Sequence, residues 1–371
     1  MTTKSAFLVK DFEFMALALR LAEQGLNTTS PNPRVGCVLV KDGQIIGQGA
    51  HLKAGEPHAE VMALRDAEQK SPNSIKGATA YVTLEPCSHF GRTPPCANAL
   101  VDAGVARVVV AMQDPNPQVA GNGLKILAEA GISVEHGLME AQARELNIGF
   151  ISRMTKNKPY VRVKIAASLD GRTALANGES KWITGEAARQ DVQQWRARSC
   201  AILTGVGTVL TDNPQMNVRI STTRQPLKVI VDSQLLTPTD ANILKDGNLL
   251  IAYSQGSEVQ KLALSTAGAE LIQVGNQPHI CLKTLLNVLA ERGINEVMVE
   301  AGQTLNGALL AAGLVDEFIF YYAPVILGAD AHGMLAIPAL QSMQDRIALQ
   351  ILETRQIGQD IRVRAKPIYP Q

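Results

Sequence analysis

The segment Gly55-Glu-Pro-His58-Ala-Glu60-Val-Met, answered further along by Pro86-Cys87 and Pro95-Cys96, constrains this chain more than any other stretch. One imidazole and two thiolates make three borderline-soft ligands, a set that suits zinc with the fourth position left to water. To meet at one ion they must be carried to a common edge by elements distant in sequence. Glu60 lies two residues after His58 at a predicted helix start, where a carboxylate reaches the water without being a ligand. Two blander readings stand beside this one. A structural zinc knuckle normally supplies four ligands and needs no glutamate. Two unrelated buried cysteines and a surface histidine would explain neither the order nor the glutamate.

The spacing carries further chemistry. His-x-Glu followed by Pro-Cys and a second Cys is the pattern of zinc-dependent nucleobase deaminases. Pro95 to Ala103 reads as a helix with Pro95 in its first turn, so Cys96 falls at a helix start and Cys87 at a strand end. Exposed N–H groups and the positive end of a helix dipole favour the thiolate that zinc needs. The loop Ser88 to Pro95 is longer than the Cys-x-x-Cys of the simplest pattern, at some cost in closure entropy, which implies a use. His89 and Arg92 in it are candidates for gripping a polar or phosphorylated substrate. A solvated loop, or His89 as an alternative metal ligand, remain the other readings.

A chain of 371 residues is long enough for two or three domains. A formal net charge of +1 argues against a polyanionic partner such as a nucleic acid, so phosphate recognition must be local. Five cysteines are too few, and odd, for a disulfide framework; Cys37, Cys200 and Cys281 sit in apolar runs and read as core. No apolar leader follows Lys4, Lys10 and Asp11, and no run of 18 apolar residues occurs, which predicts a cytoplasmic protein away from membranes.

Asp11 to Gln24 carries a helical period with Asp11 as N-cap, and Asn27 to Pro33 is a turn-forming loop. Val35 to Val40 and Ile45 to Gly49 flank Asp42-Gly43, a hairpin signal. Strands at Ala80–Leu84, Val108–Ala111 and Ile132–Glu135 alternate with helices at Leu124–Ala130 and Met139–Phe150. The first domain, residues 1–150, is thus an α/β sandwich. Residues 151–159 read as a polar, Pro-terminated boundary, and a second α/β domain occupies 158–371. Its strand Ala201–Thr204 leads into Gly205-Val-Gly207-Thr208, which lacks the third glycine of a dinucleotide fingerprint because position 210 is leucine. Strand Val297–Glu300 leads into Gly302-Gln-Thr-Leu-Asn-Gly307, a second glycine-flanked turn opening a helix. The residues alone support a phosphate-bearing ligand.

Ser30-Pro-Asn-Pro-Arg-Val-Gly36, His58-Ala-Glu60, Thr83 to Cys96, Ser168-Leu-Asp-Gly-Arg-Thr173 and Val299-Glu-Ala-Gly302 closely resemble the bifunctional riboflavin-biosynthesis deaminase–reductases over essentially the whole chain. Among deaminases the extended cysteine loop is specific to that family. The resemblance implies a cytidine-deaminase-like α/β/α sandwich followed by a dihydrofolate-reductase-like α/β domain that uses NADPH. It implies deamination of 2,5-diamino-6-ribosylamino-4(3H)-pyrimidinone 5′-phosphate, then reduction of the ribosyl group to ribityl. It makes His58, Cys87 and Cys96 zinc ligands, Glu60 the proton shuttle, and Asn32 the residue that holds the pyrimidine edge. In the reductase half it assigns NADPH contacts to Ala166, Trp182, Thr208, Asp212, Ser233 and the turn Gly302, Gln303, Thr304, Leu305, Asn306, Gly307 and Ala308. Substrate contacts fall to Ser180, Arg196, Met216, Arg219 and Glu300. Met216 departs from the leucine expected there, a change of little consequence for a backbone contact. Trp182 by itself reads equally as core. The expected assembly is a homo-oligomer, dimer or tetramer.

Three rivals differ in what they demand. A nucleic-acid-editing deaminase needs a basic footprint that a net charge of +1 does not supply. A deaminase with a C-terminal oligomerisation or effector module predicts no NADPH binding. A non-enzymatic zinc protein predicts no ammonia release.

Overall fold

The computed structural model describes residues 7–88, 94–117, 119–222 and 224–369. It divides into two units, Met1–Asn157 and Lys158–Gln371. The first runs α1 (Val9–Glu23), β1 (Gly36–Lys41), β2 (Gln44–Ala50), α2 (Ala59–Lys70), β3 (Thr79–Val82), α3 (Cys96–Asp102), β4 (Arg107–Val110), α4 (Asn122–Glu129), β5 (Ser133–His136), α5 (Glu140–Leu146) and α6 (Ile148–Lys156). Its sheet has the order β2-β1-β3-β4-β5. β1 is antiparallel to β2 and β3, and β3, β4 and β5 are parallel. The hairpin turns at Asp42 and Gly43, both at positive φ, as a tight two-residue turn requires.

Small residues set how close α2 lies to this sheet. A Cβ on Gly47 would sit 2.3 Å from the Ala63 carbonyl oxygen, and one on Gly49 would sit 2.2 Å from that of Ala59. Ala59, Ala63 and Ala67 recur at helical spacing along the facing side of α2 and are fully buried. The helix therefore packs backbone to backbone on β2.

Several expectations are corrected. Asp11 is not the N-cap of α1: the helix starts at Val9, and Leu8 is the capping residue. Asp11 is instead 1% exposed and accepts bonds from Tyr81 Oη (2.6 Å) and Arg107 Nη1 (2.8 Å). Pro95 is the N-cap of α3, and Cys96 is its first residue. The expected helix from Met139 to Phe150 is broken at Asn147. There the buried side chain takes the Arg34 N–H (2.8 Å) and donates to the Arg34 carbonyl (2.9 Å). Within the polar stretch 151–159, α6 runs on to Lys156 with Ile151 packed on the core and its basic residues in the last turn, and the two units divide between Asn157 and Lys158.

The second unit runs β6 (Tyr160–Ser168), β7 (Arg172–Ala174), α7 (Glu186–Arg198), β8 (Ala201–Gly205), α8 (Val206–Asp212), β9 (Leu227–Val231), β10 (Leu249–Tyr253), α9 (Glu258–Thr266), β11 (Glu270–Gln273), α10 (Leu282–Glu291), β12 (Glu296–Val299), α11 (Gln303–Ala311), β13 (Glu317–Ala323), β14 (His332–Gly333), β15 (Ala348–Ile357) and β16 (Asp360–Ile368). Nine strands form one sheet in the order β11-β10-β9-β8-β12-β6-β13-β16-β15. It is parallel from β11 to β13, and the β15–β16 hairpin adds antiparallel to β13. Alternate residues divide between the faces: Leu203, Val229 and Leu250 enter one core, Ile202, Ile230 and Ile251 another. Both faces are covered, which is why these strands read as unbroken apolar runs. Cys281, expected in the core, is exposed. It is the N-cap of α10, and Leu285 and Leu286 bury that helix instead.

Beneath α7 the sheet carries a layer of charge. Arg162, 1% exposed, pairs with Glu296 and with Glu317, Arg198 also reaches Glu296, and Arg364 reaches Glu317. The Trp195 ring lies within cation–π range of all three arginines. Removing one partner from such a buried array leaves charge without compensation, at about 3–5 kcal/mol. Both tryptophans, Trp182 and Trp195, belong to this unit, so tryptophan fluorescence follows its unfolding alone. Arg162→Met should lower its stability to urea by about 3 kcal/mol or more; a loss under about 1 kcal/mol would put the pair in the class of surface ion pairs.

Candidate functional site

His58 is the N-cap of α2, and Glu60 is the second residue of its first turn. The seat of α2 on β2 brings this helix start to the end of β3, where Cys87 follows Pro86, and to the first residue of α3, Cys96. His58 Nδ1 lies 3.6 Å from Cys87 Sγ and 3.3 Å from Cys96 Sγ. The three ligand atoms lie within 4.8 Å of one another, so one metal ion can be shared among them. The Cys96 N–H is directed at Cys87 Sγ (3.3 Å), as expected of a thiolate at a helix start.

Protonation follows from these contacts. Hydrogen bonds from the Cys96 thiol and the His58 ring hold the Cys87 thiol well below its ordinary range. The same bond to Cys87, with burial, pushes Cys96 up, and the bond to Cys87 raises His58. Glu60 is 3% exposed, and burial together with the Cys87 thiolate pushes its carboxyl up to about 7. A carboxyl poised there takes and gives protons near neutrality.

Sequence reasoning missed His51, which follows β2 and is 2% exposed. Its Nδ1 faces the Pro57 carbonyl (3.2 Å), an acceptor only, so Nδ1 carries the hydrogen. Nε2 is then bare and accepts from Asn32 Nδ2 at 3.2 Å, which leaves Asn32 Oδ1 free to receive a donor. Burial holds the ring below its ordinary pKa and keeps it neutral. Its one sequence signal is a histidine directly after an alternating Gly-x-Gly strand. His89 and Arg92 lie outside the described residues.

In the second unit, Ala166, Gly205, Ser233 and Gly302 stand at or just beyond the C-terminal ends of β6, β8, β9 and β12, which are parallel neighbours in the sheet. That edge is where ligands of open α/β sheets sit. Thr208 and Asp212 lie on α8, and Gly302 is the N-cap of α11. A Cβ on Gly207 or Gly302 would meet nothing within 4 Å, so the helix starts are open to a close phosphate. The stretch from Gln303 to Ala308 is therefore helix, not turn. Gly307 serves packing, since a Cβ there would sit 2.1 Å from the Ala336 carbonyl oxygen. Trp182 is 68% exposed, with Arg189 over its ring at 4.8 Å; it is not core.

A second cluster lies at the end of β12. Glu300 binds Arg196 through both oxygens (2.6 and 2.9 Å), and Arg196 also reaches the Asn217 carbonyl (2.8 Å) and Met216 Sδ (4.0 Å). Burial pushes the Glu300 carboxyl up, but Arg196, Lys164 and Arg219 outweigh it and hold it below its usual range. Lys164, held below its ordinary range by burial, was not singled out from the sequence. Its signal was a charge alternating with Val and Ile inside a central strand. Arg219 is exposed, and Ser180, half-buried, makes no contact with this cluster among those the structure describes.

Residues 159–363 match the RibD C-terminal domain family, and residues 8–112 match the cytidine and deoxycytidylate deaminase zinc-binding region. The chain is 51% identical to the riboflavin biosynthesis protein RibD of Escherichia coli (strain K12), over 95% of this chain and 98% of that protein. It is 48% identical to the Haemophilus influenzae protein of the same name, over 97% and 98%. Among solved structures, Acinetobacter baumannii RibD, form 1, is 49% identical with a TM-score of 0.89, over 97% and 99% of the two chains. A diaminohydroxyphosphoribosylaminopyrimidine deaminase/5-amino-6-(5-phosphoribosylamino)uracil reductase from Thermotoga maritima is 33% identical with a TM-score of 0.86, over 97% and 99%.

The depressed Cys87 thiol has a direct readout. In metal-stripped protein, alkylation of Cys87 should keep its rate as the pH falls and decline only well below about 8.5, the midpoint of a free thiol. Peptide mapping across a pH series measures it. A midpoint at or above that of a free thiol would contradict the hydrogen-bonding assigned to the pair.

Proposed function

The chain belongs to the RibD family, a bifunctional zinc-dependent deaminase and NADPH-dependent reductase of riboflavin biosynthesis, and from that premise we propose which residues do the work. In this reading residues 1–150 hold the deaminase, extended by α6 to Asn157, and residues 158–371 hold the reductase. The substrates are 2,5-diamino-6-ribosylamino-4(3H)-pyrimidinone 5′-phosphate and its deaminated product. The observation that carries the reading is the meeting of His58 Nδ1, Cys87 Sγ and Cys96 Sγ beside a buried Glu60.

His58, Cys87 and Cys96 hold the zinc, which supplies the Lewis acidity that makes water a nucleophile near neutral pH. Asn32, fixed by neutral His51, offers Oδ1 to an amino group on the pyrimidine edge and sets the ring in place. Glu60 takes the proton of the attacking water and delivers it to the departing amine, which leaves as ammonia.

The reductase site is read along the open strand edge. Ala166, Trp182, Thr208, Asp212, Ser233 and residues 302–308 hold NADPH, which supplies hydride to C1′ of the sugar in its open-chain form. The uncovered starts of α8 and α11 suit the pyrophosphate. Ser180, Met216 and Glu300 contact substrate. Arg196 binds both oxygens of Glu300 and the Asn217 carbonyl, so its part is to orient the carboxylate. That leaves exposed Arg219 as the phosphate anchor. No helix among the described residues is long and apolar enough to cross a membrane. We place the enzyme in the cytoplasm as a homo-oligomer, a reading supported by the apolar edge strand β15, on which Leu349, Ile351 and Leu352 are exposed.

Glu60→Gln keeps size and hydrogen bonding but cannot shuttle a proton. Zinc content should stay stoichiometric while deamination, followed by ammonia release, falls about 100-fold or more. NADPH-dependent reduction of the deaminated substrate should persist. A near-normal deamination rate would remove Glu60 from this role. Arg219→Ala should raise KM for reduction by about 10- to 100-fold, the equivalent of one lost charged hydrogen bond, with kcat little changed. An unchanged KM would reject Arg219 as the anchor.

A further inference from the structure

Glu85 lies between the end of β3 and Cys87 and is 5% exposed. Its carboxylate is occupied by four backbone N–H groups. Oε2 accepts from Asp114 (3.1 Å) and Gly121 (3.0 Å), and Oε1 accepts from Gly123 (2.9 Å) and Leu124 (3.4 Å). Gly121 is the N-cap of α4, and Gly123 and Leu124 belong to its first turn. One side chain thus caps a helix that begins some 36 residues further along the chain and ties down the loop before it. The Glu85 N–H binds the Met112 carbonyl (3.0 Å), so backbone and side chain grip the same connection.

The first turn of α4 lies directly against the peptide that leads into Cys87. A Cβ added to Gly123 would come 2.0 Å from the Pro86 carbonyl oxygen and 3.2 Å from the Glu85 side chain. On its other side Cys87 is held by α3: its sulfur faces the Cys96 N–H, and its carbonyl accepts from Ala97 N–H at 3.2 Å. Cys87 therefore sits between two helix starts, one that carries its fellow ligand and one that Glu85 pins in place.

We propose that Glu85, with Gly123 opposite it, is a positioning residue that sets Cys87 for the metal. The proposal rests on the reading that His58, Cys87 and Cys96 hold zinc. Glu85 is not itself a ligand, because both its oxygens are engaged with backbone donors. Glutamine at this position would replace one acceptor by an amide that faces N–H groups, and the loop and α4 would have to shift. Gly123→Ala would push on the Pro86 carbonyl from the opposite direction. Residues that orient a metal ligand typically change affinity by about 10- to 100-fold when replaced.

The test uses the full-length zinc protein and its cobalt(II)-substituted form. Glu85→Gln and Gly123→Ala should each raise the Kd for zinc, measured by chelator competition, by about 10- to 100-fold. Each should also alter the visible ligand-field absorption of the cobalt form. Val109→Ala, a truncation in the core of the same unit, should lower the unfolding temperature yet leave the zinc Kd and the cobalt spectrum as in wild type. Wild-type affinity and spectrum in both brace variants would overturn the proposal. So would an equal loss of affinity in Val109→Ala, since that would be general destabilisation. Failure of the wild-type chain to hold one zinc would be seen without any variant; it would sink the metal reading, and this proposal with it.

Discussion

The close seat of α2 on β2 is the constraint from which the deaminase half follows. With a side chain at position 47 or 49 the helix would have to stand off, because a Cβ there falls within 2.3 Å of α2 backbone oxygens. The start of α2 carries both His58 and Glu60, so the helix–strand distance sets where imidazole and carboxylate stand relative to the two cysteines. The packing is dense and apolar along the Ala59, Ala63, Ala67 face, which resists displacement. The placement of His58 and Glu60 is therefore a property of the core and not of a loop.

The reductase half separates two uses of buried charge on one face of its sheet. Under α7, Arg162, Arg198 and Arg364 pair with Glu296 and Glu317. At the strand ends, Arg196 and Glu300 pair next to Lys164 and the left-handed Met216, beside exposed Arg219. Paired charge is enclosed in the middle of the sheet and meets an exposed arginine, Arg219, at its edge. The difference is position along the strand, as the location of ligand sites in open α/β sheets leads one to expect.

What was legible in the sequence was whatever local chemistry determines by itself. The Asp42-Gly43 hairpin, the strand Ala201–Thr204, and the His58, Glu60, Cys87, Cys96 set each follow from residue type and spacing. What was not legible depends on partners distant in the chain. Asp11 reads as a cap because acidic residues suit helix starts, and only Tyr81 and Arg107 turn it inward. Cys281 reads as core because its neighbours are apolar, whereas helix α10 turns it out. His51 carries no local mark of its hold on Asn32. Residues 151–156 read by composition as part of a polar boundary, yet they finish a helix whose Ile151 packs on the core.

In the proposed deaminase site three side chains hold one zinc and leave a position for water. X-ray absorption at the zinc edge of the purified full-length protein tests it most directly. Two sulfur ligands at about 2.3 Å, one imidazole nitrogen at about 2.0–2.1 Å, and one further light atom from water are expected. A first shell with three or four sulfurs, or with two imidazoles, would contradict it.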